Sequence, residues 1–162
     1  RQMCIRDRKY SDHLMYSVNF IDGKNEPELL NKASAIWTRE KKDISAEQYE
    51  EFYKQIGAGY DKPLLTLHNK VEGTLSYTNL LFIPESRPFD LFQMDVKSKI
   101  KLYSNRVLIT EDSETILPRW LRFVKGIVDT SDVDLNVSRE MLQHNVTLNK
   151  ISKALKLSLI HI

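Results

Sequence analysis

Apolar and polar positions alternate in YSVNF, residues 16–20, so that Tyr16, Val18 and Phe20 share one face as in a half-buried strand. After a polar stretch with Gly23 and Pro27 the period changes. Tyr49, Phe52, Tyr53 and Ile56 recur at helical spacing, Ser45 and Gln48 form a capping box ahead of them, and Gly57 marks the stop. Residues 64–83 favour strands and end in the apolar run LLFI before Pro84, which reads as a strand buried on both faces. A further strand, KIKLYSNRVLIT at 99–110, carries Ile100 and Leu102 on one face and then Val107, Leu108 and Ile109. Pro118 suits the first position of a helix whose apolar stripe is Trp120, Phe123, Val124 and Ile127, with Arg119, Arg122 and Lys125 off the stripe. A short strand near Leu135 to Val137 leads into a last helix, capped by Ser138 and lined by Met141, Leu148, Ile151 and Leu155. Strands interleaved with helices predict an α/β or α+β domain in which helices cover a sheet. The sense of each strand pair is not legible from the pattern.

Composition narrows this picture. At 162 residues the chain suits one domain or a piece of something larger, and its 41% hydrophobic and 28% charged content is that of a soluble globular protein with a real core. A net charge of +2 offers no strong pull towards nucleic acid or a membrane surface. No apolar run approaches the roughly 18 residues needed to span a bilayer, and no secretory signal is visible. The single Cys4 forms no internal disulfide and suits a reducing cytosol, so a cytoplasmic location is expected.

The chemistry is marked mainly by what is missing. The five glycines, at 23, 57, 59, 73 and 126, form neither GxxxxGK[ST] nor GxGxxG, so the chain has no phosphate-cradling loop of its own. His13, His68, His144 and His161 are too scattered for a zinc motif, and no GxSxG elbow appears. Self-contained catalysis is not expected. One residue is out of place in DLNVSREMLQ, residues 134–143: with Ser138 as cap, Arg139 occupies the first turn of a helix, where the macrodipole disfavours a cation by about 0.3 to 1 kcal/mol. An arginine there ordinarily pairs on the surface, with Glu140, Asp134 or Asp132 as candidates. The functional alternative is a guanidinium reaching an anion supplied from elsewhere, such as the terminal phosphate of a nucleotide, with Asn136 and Gln143 as neutral donors beside it.

Other marked residues carry two readings each. Trp120 reads as core, on the apolar stripe of its helix. Trp37, in IWTRE between polar segments, is either core or an exposed contact residue. PFDLF at 88–92 reads as an apolar plug after a strand, with an exposed partner loop as the alternative. The Lys97, Lys99, Lys101 alternation reads as the solvated face of a strand, because no aromatic ladder accompanies it to suggest nucleic acid.

Four segments, WTREKKDISAEQYEEFYK, EGTLSYTNLLFIPESRPFDLF, IKLYSNRVLI and LPRWLRFVKGIVDTSDVDLNVSREMLQ, resemble in that order the middle domain of the ninety-kilodalton heat-shock chaperones. The resemblance runs from Ser11 to Asn149. It implies a layered α-β-α sandwich of ribosomal-protein-like topology, within an ATP-driven homodimeric chaperone of three domains. It further implies that Arg139 touches the γ-phosphate of ATP held, with Mg2+, by a separate N-terminal domain, that Gln143 is the accompanying glutamine, and that Trp37 is the client-associated tryptophan. Expected partners are therefore unfolded or partly folded client proteins, the N-terminal ATPase domain and a second copy, with no nucleic acid and no membrane. Residues 11–149 are expected to form the large α/β subdomain. RQMCIRDR, within residues 1–10, and LSLIHI, at the end of the helix continuation 150–162, fall outside the resemblance and read as assembly or sequencing scars. Asp134 stands where a proline is common in relatives, a change that loosens the loop. By itself the chain is expected to bind no metal and to be inactive as an ATPase. The alternative from a different class is a client or co-chaperone binding module with no catalytic contribution.

Overall fold

The computed structural model describes residues 19–20, 28–29, 35–57, 61–88, 91–92, 98–111, 113, 115–133, 142 and 145–161. Tyr16, Val18, the strand near Leu135 to Val137, Ser138, Arg139, Met141 and Gln143 lie outside them.

A short antiparallel pair, β1 (Asn19–Phe20) and β2 (Glu28–Leu29), precedes the main sheet. That sheet holds β3 (Pro63–Val71), β4 (Tyr77–Pro84), β5 (Lys99–Ser104), β6 (Val107–Thr110) and β7 (Lys125–Thr130), in the order β3-β4-β7-β5-β6. β5 and β7 run parallel, and the other neighbours are antiparallel. The run LLFI lies in β4, a strand bonded on both sides and buried along most of its length, as its continuous apolar pattern requires.

Period two along the strands sorts the core into two clusters. Tyr77, Leu81, Ile100, Leu102 and Val128 pack on one face with Leu148, Ile151 and Leu155 of α2 (Val146–Ile160). Leu80, Phe82, Tyr103 and Ile127 pack on the other with Phe52 and Tyr53 of α1 (Ala46–Gln55). The result is a mixed five-stranded sheet with a helix on each face. α1 begins as its sequence dictates: the Ser45 side chain accepts from the Gln48 amide and the Gln48 side chain accepts from the Ser45 amide. It ends at Ile56 and Gly57, the latter at φ 70°.

Gly126 lets the central strands approach. Its φ is 145°, and a Cβ there would lie 2.2 Å from the Leu80 carbonyl oxygen across the β4–β7 pairing. Only glycine fits that seam.

Five expectations are corrected. Residues 99–110 are not one strand: Asn105 and Arg106, both at positive φ, turn the chain into the β5–β6 hairpin. Pro118 opens only a three-residue 3-10 turn, Arg119–Leu121, after which the chain enters β7. Trp120 is consequently 59% exposed and not core, whereas Val124 and Ile127 are buried, Ile127 as a strand residue. The period shared by 120, 123, 124 and 127 is too short to separate a helix from a turn followed by a strand. Ile127, Val128 and Thr130 also favour the strand, and the vacant place between β4 and β5 buries them fully. Phe92 is 76% exposed with the Arg87 guanidinium 5.4 Å from its ring centre, so at that residue PFDLF is no plug. Last, α2 does not continue a helix from Ser138. Asn145 is extended and caps α2 with its side chain, accepting from the amides of Thr147 and Leu148.

Candidate functional site

Trp37 lies in a 3-10 turn, Ile36–Thr38, laid against β4 and the aromatic face of the sheet. Its indole is 1% exposed, so of its two placements the core is the one observed. The ring packs 5.0 Å from Tyr103 and 5.8 Å from Phe52, centre to centre, at tilted angles. A buried indole N–H needs an acceptor. It donates to Asp129 Oδ2 on β7 at 2.8 Å. The other carboxylate oxygen, Oδ1, accepts the backbone amide of Arg106 at 3.2 Å. A carboxylate only 9% exposed thus has both oxygens engaged, one by the tryptophan and one by the β5–β6 turn.

The chain of bonds continues through the Trp37 backbone. Its carbonyl accepts from His68 Nε2 on β3 at 2.9 Å, and His68 Nδ1 lies 2.7 Å from the Tyr49 hydroxyl on α1. The carbonyl can only accept, so Nε2 carries the proton and Nδ1 takes the one from Tyr49. Burial pushes the His68 imidazole below its ordinary value, with the nearby Lys41 charge adding to the fall and the Trp37 carbonyl opposing it. One polar path therefore joins α1, β3, the Trp37 turn, β7 and the β5–β6 turn. Farther along α1, Tyr53 donates to Asp61, and burial together with that carboxylate raises its hydroxyl to about 12.

Arg139 and Gln143 lie outside the described residues, whereas Val133, just before DLNVSREMLQ, and Leu142, within it, are described. Val133 is 2% exposed and its carbonyl accepts from the Ser104 hydroxyl at 2.6 Å. Just before it, Asp132 Oδ2 accepts the Ser76 amide at 2.8 Å and its Oδ1 accepts from the Ser131 hydroxyl at 3.3 Å. The Thr130 hydroxyl donates to the Ser76 carbonyl at 2.9 Å. Leu142 is 5% exposed and belongs, like Val133, to the α2-side core. Val133 and Leu142 thus belong to one cluster of the core.

The ends of β3, β4 and β7 and the β5–β6 turn line an open groove of about 530 Å³, with Lys70, Thr78 and Asp129 in one cross-strand row and Arg106 in the same lining. Among the described residues no group of three or more His, Cys, Asp or Glu side chains gathers to hold a metal, and no helix is long and apolar enough to cross a membrane.

Asp129, His68, Tyr49 and Arg106 were not singled out as site residues by sequence reasoning. Asp129 was the most legible of them. A carboxylate inside the apolar run GIVDT has to find donors once the strand is buried. The partners of His68 depend on tertiary contacts 19 and 31 residues away and leave no local signal.

The described residues thus form an α+β domain, a mixed five-stranded sheet with a helix on each face and a buried tryptophan turn. The chain belongs to the Hsp90 family, whose model, described as Hsp90 protein, matches residues 15–161. Within that family it matches the middle domain of bacterial HtpG chaperones. It is 52% identical over 148 residues to "Chaperone protein HtpG" of Paramagnetospirillum magneticum, covering 91% of this chain and 24% of that protein. It is 52% identical over 153 residues to the protein of that name from Rhodospirillum rubrum, covering 94% and 24%. To that of Orientia tsutsugamushi it is 46% identical over 148 residues, covering 91% and 24%. The chain spans about a quarter of the length of these relatives.

Proposed function

We propose that this chain is the part of a cytoplasmic, ATP-dependent chaperone that completes a nucleotide site located outside it. On this reading the α-β-α layers have the ribosomal-protein-like topology of the chaperone middle domain, and the full-length protein is a homodimer that assists the folding of client proteins. Arg139 supplies a guanidinium to the γ-phosphate of ATP, and Gln143, one turn on, adds a neutral donor. ATP and Mg2+ are held by another domain and supply the phosphoryl chemistry. Trp37 bears on clients from beneath the surface, through the turn and strands it joins.

The observation that carries this reading is the sequence LNVSREMLQ, residues 135–143, inside the family match, in a chain without a phosphate loop of its own. The anchoring of Val133, just before it, and the burial of Leu142, within it, support the reading, since a charged residue offered to another domain needs a fixed base. A guanidinium acting on a transferring phosphoryl group is worth about 10³ to 10⁵ in rate. In the full-length protein, Arg139→Ala is expected to lower kcat for ATP by at least about 100-fold while the Kd for ATP changes less than about threefold. Turnover within about twofold of the parent would leave the chain as a client or co-chaperone binding module alone.

A further inference from the structure

The β5–β6 turn holds a residue that its backbone does not favour. Asn105 at φ 47° and Arg106 at φ 66° form a two-residue connection between Ser104 and Val107. Turns of this shape are dominated by Asn-Gly, because both positions need positive φ. Asparagine tolerates that region, and arginine has no such dispensation. Glycine at 106 would relieve the strain and would still present the amide that Asp129 accepts. Backbone strain of this kind points to a use for the side chain.

The groove beside the turn shows what that use is. Its other charges are satisfied: Lys70 Nζ lies 2.6 Å from Glu72 Oε1, and Asp129 accepts from Trp37 and from the Arg106 amide. The Arg106 guanidinium has no ion-pair or hydrogen-bond partner among the described residues. Of the charged side chains that line the groove, Arg106 is thus the one without a partner among the described residues, a planar cation in a lining shared with Ser76 and Thr78. The complement is a carboxylate, which a guanidinium grips with two parallel bonds. The groove is open and lies across three strand ends, a shape suited to a side chain borne by a passing polypeptide.

We propose that this groove docks an acidic segment of a partner polypeptide, with Arg106 as its anchor. The proposal rests on the turn and the groove and is independent of the phosphate contact assigned to Arg139.

The test uses the full-length protein and two fluorescein-labelled twelve-residue probes, one alternating Glu with Ser and one alternating Gln with Ser, followed by anisotropy at low salt. The Glu probe is expected to bind at least about tenfold more tightly than the Gln probe. Arg106→Gly should abolish that preference while the melting temperature holds or rises, and Arg106→Lys should retain part of it. Arg139→Ala should leave the preference intact, so the two readings fail separately. Three results would overturn the proposal: a preference that survives Arg106→Gly, displacement of the Glu probe by equimolar inorganic phosphate, or a fall in melting temperature showing the Arg106 side chain to be a structural brace.

Discussion

The α2 side of the sheet is filled mostly by aliphatic side chains, Leu81, Ile100, Leu102, Val128, Ile151 and Leu155 among them, and the α1 side by Trp37, Phe52, Tyr53, Phe82 and Tyr103. The aliphatic side has little to specify beyond volume, so volume-conserving swaps there are tolerated. On the aromatic side Trp37, His68, Tyr49 and Asp129 each need a particular partner, and together they admit one arrangement. Two layers of one domain are therefore held by different means. The aliphatic side holds Val133 and Leu142, and the aromatic side fixes the tryptophan turn and the wall of the groove.

The seam between the layers should be the most sensitive point, because a change there disturbs both. Gly126→Ala places a methyl against the Leu80 carbonyl and adds a side chain at φ 145°. Overpacking and backbone strain together are expected to cost about 3 to 5 kcal/mol, read as a lowered urea midpoint with the slope unchanged. A cost below about 1 kcal/mol would mean that the strands separate easily, and the tight β4–β7 approach would lose its significance.

Next come paired changes that set one face against the other. Ile151→Ala empties a fully buried site and should cost about 2 to 5 kcal/mol, whereas Ile151→Leu should cost less than about 1.5. Trp37→Phe keeps an aromatic ring yet removes the donor to Asp129 Oδ2, and should cost about 1 to 3 kcal/mol beyond the lost ring volume. A double-mutant cycle of Trp37→Phe with Asp129→Ala isolates that bond. Coupling under about 0.5 kcal/mol would reduce the aromatic side to ordinary packing and erase the contrast with its counterpart.

How much of this was legible follows the range of the signal. The capping box at Ser45 and Gln48 and the buried run LLFI are written in adjacent residues, and both formed as expected. The helix expected from Pro118 failed because its period spanned only eight residues, and the pull of the sheet on Ile127 and Val128 is a tertiary effect. Trp37 lay in a polar stretch, and its acceptor stands 92 residues away, so its burial was not readable locally. Arg139 and Gln143 lie outside the described residues, so the roles proposed for them rest on the sequence resemblance alone.

The smallest expected effect distinguishes the two faces by pH alone. In the folded protein burial holds the His68 imidazole below its ordinary value of 6.5, so the folded state binds this proton less tightly than the unfolded chain does. Between the two values the unfolded state carries more protons and stability rises with pH. The contribution of neutral His68 is thus complete above about pH 6.5 and is lost progressively on acidification below it. Asp61, Glu47 and Glu72 act at lower pH. Their carboxyls are held below the ordinary 3.8 and 4.5 chiefly by hydrogen bonds, and they lose their contributions as pH falls through that lower range. Urea midpoints at intervals from about pH 5 to 7 should therefore show a slope that His68→Gln flattens and that Ile151→Val, on the aliphatic side, leaves in place. Equal slopes in the two variants would mean that the Tyr49 hydroxyl simply turns over to accept from a charged imidazole. In that event the polar path from α1 to Trp37 would survive protonation unchanged.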